Sequence, residues 1–246
     1  MSISHALKGR DDISQFVVHL TRDDREHFTK GGQIALKNFA KILLEKRIGA
    51  FRAHCHFNPQ LTKLDEAIQA KFHVACFTET PLNMLHLLVQ DIPGRSIRLE
   101  PYGVCFKKRF LVEKGAQQAV YINSYGGNSW LKKAAMKLFR RCTEGGILEE
   151  PEWRLLPFLN SMSEKYDFSW EREWRVLGDF EFKHSDIVCV VIPNDADAKL
   201  KEYFAKSGIA AICPGWSYEE IVAELASQQR ATRRLGGELK KLTQEE

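Results

Sequence analysis

The chain has no CxxC pair, no run of about twenty apolar residues and no repeated segment, and each absence removes a class of protein. Its six cysteines, at positions 55, 76, 105, 142, 189 and 213, stand singly and mostly within apolar, strand-like runs. That usage predicts reduced, buried thiols in a cytoplasmic protein, not a disulfide scaffold or a zinc ribbon. The nearest approach to a metal set is His54-Cys55-His56, with His73 and Cys76 further on. Neighbours in an extended chain point opposite ways, so only His54 and His56 can chelate together, and no metal is expected. Residues 1–10 lack the apolar core of a signal peptide, and a membrane partner is not expected. Charge of one sign is also scarce. Lys and Arg number 36 against 32 Asp and Glu, a net of +4, which permits contact with phosphate or nucleic acid without requiring it.

What is present is ordinary globular composition, 44% hydrophobic and 28% charged over 246 residues, enough to bury a core. Short β-branched and apolar runs at 14–21, 74–78, 102–106, 119–123, 187–193 and 209–213 predict strands. Helical spacing marks 35–46, 82–89, 130–141, 196–206 and 218–225. A further helix is predicted over 153–165, with Leu155, Phe158, Leu159 and Met162 as its apolar stripe. The reading is a single α+β domain over 1–246. Its sheet is mixed, largely antiparallel and flanked by helices, and residues 228–246 form a polar, charged tail.

Residues 167–176, Asp-Phe-Ser-Trp-Glu-Arg-Glu-Trp-Arg-Val, draw attention first. Trp170, Arg172, Trp174 and Val176 alternate with Glu171, Glu173 and Arg175, the period of a β-strand with two unlike faces. Two carboxylates on one face are costly unless a cation, a shared proton or a ligand compensates them, which makes Glu171 and Glu173 candidate catalytic residues. Their alternative is a solvated strand edge.

The succession of 16–21, the helix from Ala35, Cys76-Phe-Thr-Glu-Thr-Pro81, Tyr102-Gly-Val-Cys-Phe-Lys-Lys-Arg109 and Phe168-Ser-Trp-Glu-Arg-Glu-Trp-Arg175 resembles the AbiGi-type abortive-infection proteins of bacterial phage defence. A more distant resemblance is to ADP-ribosyltransferases of the DarT type. His19 with Thr21 resembles their early strand, Asn38 to Leu43 their helix, Phe77-Thr78-Glu79 their middle strand and Glu171-x-Glu173 their late catalytic strand. The resemblance implies an ADP-ribosyltransferase-like fold and NAD as substrate, cleaved at the nicotinamide-ribose bond, with a nucleic acid or a protein as acceptor.

Such a cleavage builds an oxocarbenium-like cation, so a carboxylate beside the ribose stabilises charge that exists chiefly in the transition state. On this reading Glu173 takes that role and Glu171 orients or deprotonates the acceptor. His19, Thr21, Thr78 and Arg109 would hold the dinucleotide, and Lys107, Lys108 and Glu79 the substrate beside it. The chain is then a toxin-type transferase or NAD glycohydrolase. Two alternatives stand beside it. A non-enzymatic, antitoxin-like module would use the same charges as an interface with a cognate partner protein. A nuclease would gather Glu79, Glu171 and Glu173 on a divalent metal with Lys107 nearby. The basic helix 130–141, with Lys132, Lys133, Lys137, Arg140 and Arg141, suits phosphate backbones or else is a solvated face.

Overall fold

A computed structural model describes residues 13–24, 33–52, 55–92, 97–127, 129–144, 151–164 and 167–227. The charged tail 228–246, His54 and most of the polar segment 22–32 lie outside the described residues. In chain order the elements are β1 (Phe16–Asp24), α1 (Gln33–Glu45), β2 (Arg47–Ile48), β3 (Phe51–Arg52), α2 (Asn58–Leu61), α3 (Glu66–Lys71), β4 (His73–Thr78) and β5 (Ile97–Lys107). They continue with α4 (Lys108–Glu113), β6 (Gln117–Gln118), β7 (Val120–Asn123), α5 (Trp130–Thr143), β8 (Leu159–Met162), β9 (Glu173–Leu177) and β10 (Phe180–Glu181). The last are β11 (Ile187–Val191), α6 (Ala198–Ser207), β12 (Ala210–Ile212) and a helix over 218–227, α7. Helices combine with mixed, mostly antiparallel pairing, so the class is α+β.

Two compact units share the chain, one taking Met1–Ala40, Thr80–Lys107 and His184–Glu246, the other Lys41–Glu79 and Lys108–Lys183. In the first unit β5 pairs antiparallel with both β1 and β11, and β11 runs parallel to β12 through α6. Val18, Leu20, Leu85, Leu88, Cys105, Cys189, Val191 and Ile212 form its core. Pro101 has no N–H to give a ladder, and the β1–β5 register slips opposite it, between Leu20 and Arg22. Gly103 sits against Leu20 where the two backbones close in; a Cβ there would lie 2.5 Å from the His19 carbonyl oxygen. The Asp23 carboxylate, fully buried, accepts from the Ala35 N–H at 2.7 Å and so ties the start of α1 to the end of β1.

The second unit is built on β9, which pairs antiparallel with β4 on one side and β6 on the other; β3 continues the sheet beyond β4. β7 and β8 form a separate parallel pair, and β2 pairs with β10. Phe57, Leu61, Phe72, Val74, Ile122, Phe139, Leu156 and Leu159 make the core, with Phe57 stacked on Phe139 at 4.7 Å between centroids.

Three expectations need correction. Residues 153–165 are not one helix: Pro151–Phe158 is a 3-10 segment and Leu159–Met162 is strand β8. Pro157 removes the N–H that an α-helix would need there, and its carbonyl turns instead to Arg175. Residues 167–176 are not one strand either. Ser169–Glu171 is a 3-10 turn, Arg172 is left-handed (φ 47°, ψ 53°), and the strand begins only at Glu173. The residues predicted as helix 82–89 take the tighter 3-10 form over Leu82–Leu87.

Candidate functional site

The ends of β4 and β9 meet in the second unit. Thr78 lies opposite Glu173 as the last pair of that ladder, followed by Phe77 opposite Trp174 and Cys76 opposite Arg175. The turn before β9 is pinned to the end of β4 by two hydrogen bonds. The Thr78 hydroxyl donates to the Glu171 carbonyl at 2.6 Å, and the Glu79 N–H donates to the Arg172 carbonyl at 3.1 Å. The left-handed Arg172 reverses the chain between the two acids, so Glu171 stands in the turn and Glu173 in the strand. The two carboxylates therefore do not share a strand face.

Glu173 and Arg175 are two apart on one strand, hence on one side. The Arg175 guanidinium, 1% exposed, donates through Nε to one Glu173 oxygen at 3.0 Å and through a terminal nitrogen to the other at 2.7 Å. Its remaining terminal nitrogen donates to the Pro157 carbonyl. Burial alone would lower the affinity of that guanidinium for its proton, but the Glu173 carboxylate outweighs it and holds Arg175 above its ordinary value. Tyr121 on β7 adds a third group, its hydroxyl 3.4 Å from the same Glu173 oxygen that takes the 2.7 Å bond. Burial, then the Glu173 and Glu171 carboxylates, push the Tyr121 hydroxyl far above the usual phenol range, so it stays a donor at every ordinary pH. Asn160, opposite Tyr121 on β8, also bonds that hydroxyl.

Glu79, 6% exposed, lies just past the end of β4. Lys108 Nζ reaches one of its oxygens at 2.9 Å and the Trp174 indole N–H the other at 2.6 Å. Thr78, Glu79, Lys108, Glu171 and Glu173 all lie at one end of the β4–β9 pair, but Trp174 alternates with Glu173 and Arg175 along β9, so Glu79 and Lys108 gather on the Trp174 side and Glu173 on the other. Arg109 is not among them. It is almost wholly exposed and pairs with Glu113 one turn along α4. His19, Thr21 and Lys107 belong to the other unit, where Thr21 donates its hydroxyl to the Tyr102 carbonyl at 3.0 Å and His19 pairs with Val104. Among the described residues no group of three or more His, Cys, Asp or Glu has the arrangement of a metal site; the acids proposed for a nuclease centre include Glu79 and Glu173, each held by a cation.

Sequence reasoning missed Tyr121, Trp174 and Asn160 as members of this cluster. Tyr121 and Asn160 arrive through the parallel β7–β8 pair, which brings together residues 39 positions apart and has no local signal. A second polar group lies in the same unit. His56 Nδ1 is hydrogen-bonded to the Ser161 hydroxyl, its Nε2 is buried with no partner, and burial followed by the charge of Lys132 lowers its pKa. All six cysteines are free thiols; burial pushes Cys55, Cys105 and Cys213 up, away from the thiolate. Among the described residues no helix is long and apolar enough to cross a membrane. Comparison of the chain with protein-family models, with curated proteins and with solved structures returns no match.

Proposed function

We propose that the second unit carries a glycosyl-transfer site for NAD, with Glu173 as the carboxylate facing the ribose, in a toxin-type transferase or NAD glycohydrolase. One observation carries this reading: Glu173, held by Arg175 and bonded by Tyr121, stands opposite Thr78 at the end of the β4–β9 pair, with the Glu171 carboxylate close enough to act on the same Tyr121 hydroxyl. In the reaction the nicotinamide-ribose bond breaks with its electron pair leaving on nicotinamide, and the ribose carbon becomes cationic. A carboxylate held rigidly beside that carbon stabilises the charge without reorganising, which is where most of such catalysis resides. Glu171, on the adjoining turn, takes the proton of the attacking water or acceptor hydroxyl.

The second reading, a non-enzymatic partner module, draws on the same ion pairs. Both oxygens of Glu173 and both of Glu79 already have donors, which is how an ionic scaffold is built. Nicotinamide release by the purified protein separates the two. Turnover that Glu173→Gln abolishes while the melting curve stays cooperative supports the enzyme. No release with water, nucleic acid or lysate as acceptor sinks it and leaves the module. Nucleic-acid cleavage that requires magnesium would favour a nuclease instead.

A further inference from the structure

Helix α5 carries a conflict that its own fold does not resolve. Ala135, Phe139 and Cys142 bury one face, while residues 130–143 contain five cations and no acid. Lys133, Lys137 and Arg141 follow one another at four-residue steps, where like charges stand one above the next and weaken a helix. Lys132 and Lys133 also occupy the first turn, against the sign that the helix dipole favours. Among the described residues Arg141 has an acid in Glu152 at 3.1 Å, but Lys132, Lys133, Lys137 and Arg140 make no ion pair. At the head of this row stands Trp130, 74% exposed although it is the largest apolar side chain of the helix. From Trp130 the steps to Lys133, Lys137 and Arg141 keep to one ridge, with Arg140 beside it. Each four-residue step is about 6 Å along the axis, the order of the separation between successive phosphates of one strand.

We infer that the outer face of α5 is a docking ridge for a single nucleic-acid strand, Trp130 stacking on a base while Lys133, Lys137, Arg140 and Arg141 run along its phosphates. A polyanion relieves the repulsion among these cations, and an exposed indole in line with them supplies the stacking that phosphate contacts lack. A membrane surface would want apolar residues along the row; here Trp130 stands only at its end. Binding at this ridge requires no turnover, so the inference stands apart from the catalytic reading and is tested without NAD.

The experiment is fluorescence anisotropy of labelled twenty-nucleotide dT and U strands, and of a duplex of the same length, with the full chain at 50 and 200 mM salt. Saturable binding of a single strand is expected, stronger than that of the duplex, with a log–log salt slope of roughly −2 to −3 for three to four phosphates. Lys133→Gln/Lys137→Gln/Arg140→Gln should bind at least tenfold more weakly and lower the slope by about 2. Trp130→Ala should weaken single-strand binding roughly five- to a hundredfold with the slope unchanged, and Trp130→Phe should restore most of it. No binding at 50 mM salt, a duplex bound as tightly as the strand, or variants that bind like wild type would each overturn the inference. All four positions are exposed, and Trp130→Ala reads out stacking even were the triple variant to fold poorly.

Discussion

Glu173→Ala is the most informative single change, because it removes the carboxylate and leaves its cation in place. Arg175 is 1% exposed, and the change removes both hydrogen bonds it makes to the Glu173 carboxylate while leaving the one to the Pro157 carbonyl. Breaking a buried pair from one side costs about 3–5 kcal/mol, since the surviving guanidinium can neither give up its proton nor reach water. At about 2–4 °C per kcal/mol for a chain of this size, the melting temperature should fall by roughly 6 to 20 °C. Arg175→Met should cost less. It leaves the charge on Glu173, whose side chain is 15% exposed and keeps Tyr121 as a donor. The double variant Glu173→Ala/Arg175→Met strands no charge and should lie well above the sum of the two singles, with a coupling of about 2 kcal/mol or more. Urea titrations followed by tryptophan fluorescence report on this directly, Trp174 being on the same strand. A cost below about 1 kcal/mol for Glu173→Ala, or strict additivity in the double variant, would refute the picture of a buried pair that organises the site.

Gly103→Ala should destabilise the first unit by more than about 2 kcal/mol, measured by denaturant midpoint, because the new methyl would meet a backbone oxygen and cannot turn aside. Arg172→Gly should be neutral or stabilise by up to about 1 kcal/mol, and Arg172→Val should cost over 1 kcal/mol, since a left-handed φ suits glycine and penalises β-branched side chains; equal melting temperatures for the two would contradict the turn geometry. His56 predicts a pH dependence whose sign follows from its lowered folded pKa. Below about pH 6.5 the unfolded chain takes up a proton that the folded one refuses. Stability should therefore fall as pH drops through this range, and His56→Gln should flatten the curve between pH 7 and 5.

Much of the framework is legible in the sequence. Val74 to Thr78, Tyr102 to Phe106 and Ile187 to Val191 are apolar, β-branched runs that nothing else in the chain would contradict as strands, and they are strands. The α+β class followed from these alternating with the 3.6-residue rhythm of 35–46, 130–141 and 196–206. The basic row of α5 was likewise legible, since helix spacing alone places Lys133, Lys137 and Arg141 above one another. Where local signals compete, the sequence was misleading. Leu155, Phe158, Leu159 and Met162 keep helical spacing, yet Pro157 withholds a donor and Leu159–Met162 gains a full ladder by pairing with β7. Trp170 to Arg175 alternates like a strand, yet the chain must turn at Arg172 for Glu79 and Thr78 to bond its carbonyls.

By itself the sequence determined that Glu173 and Arg175 stand on the same side of the chain, because two residues apart on a strand leaves no other choice. It could not determine that the guanidinium is buried and grips both carboxylate oxygens, or that Tyr121 and the Pro157 carbonyl complete the group. Those partners lie 52 and 18 residues away from the residues they contact, and only the folding of β7, β8 and β9 into one unit brings them within hydrogen-bond reach. Local periodicity sets the direction of a side chain; what it meets there is decided by desolvation and pairing across the fold, which are properties of the packed structure.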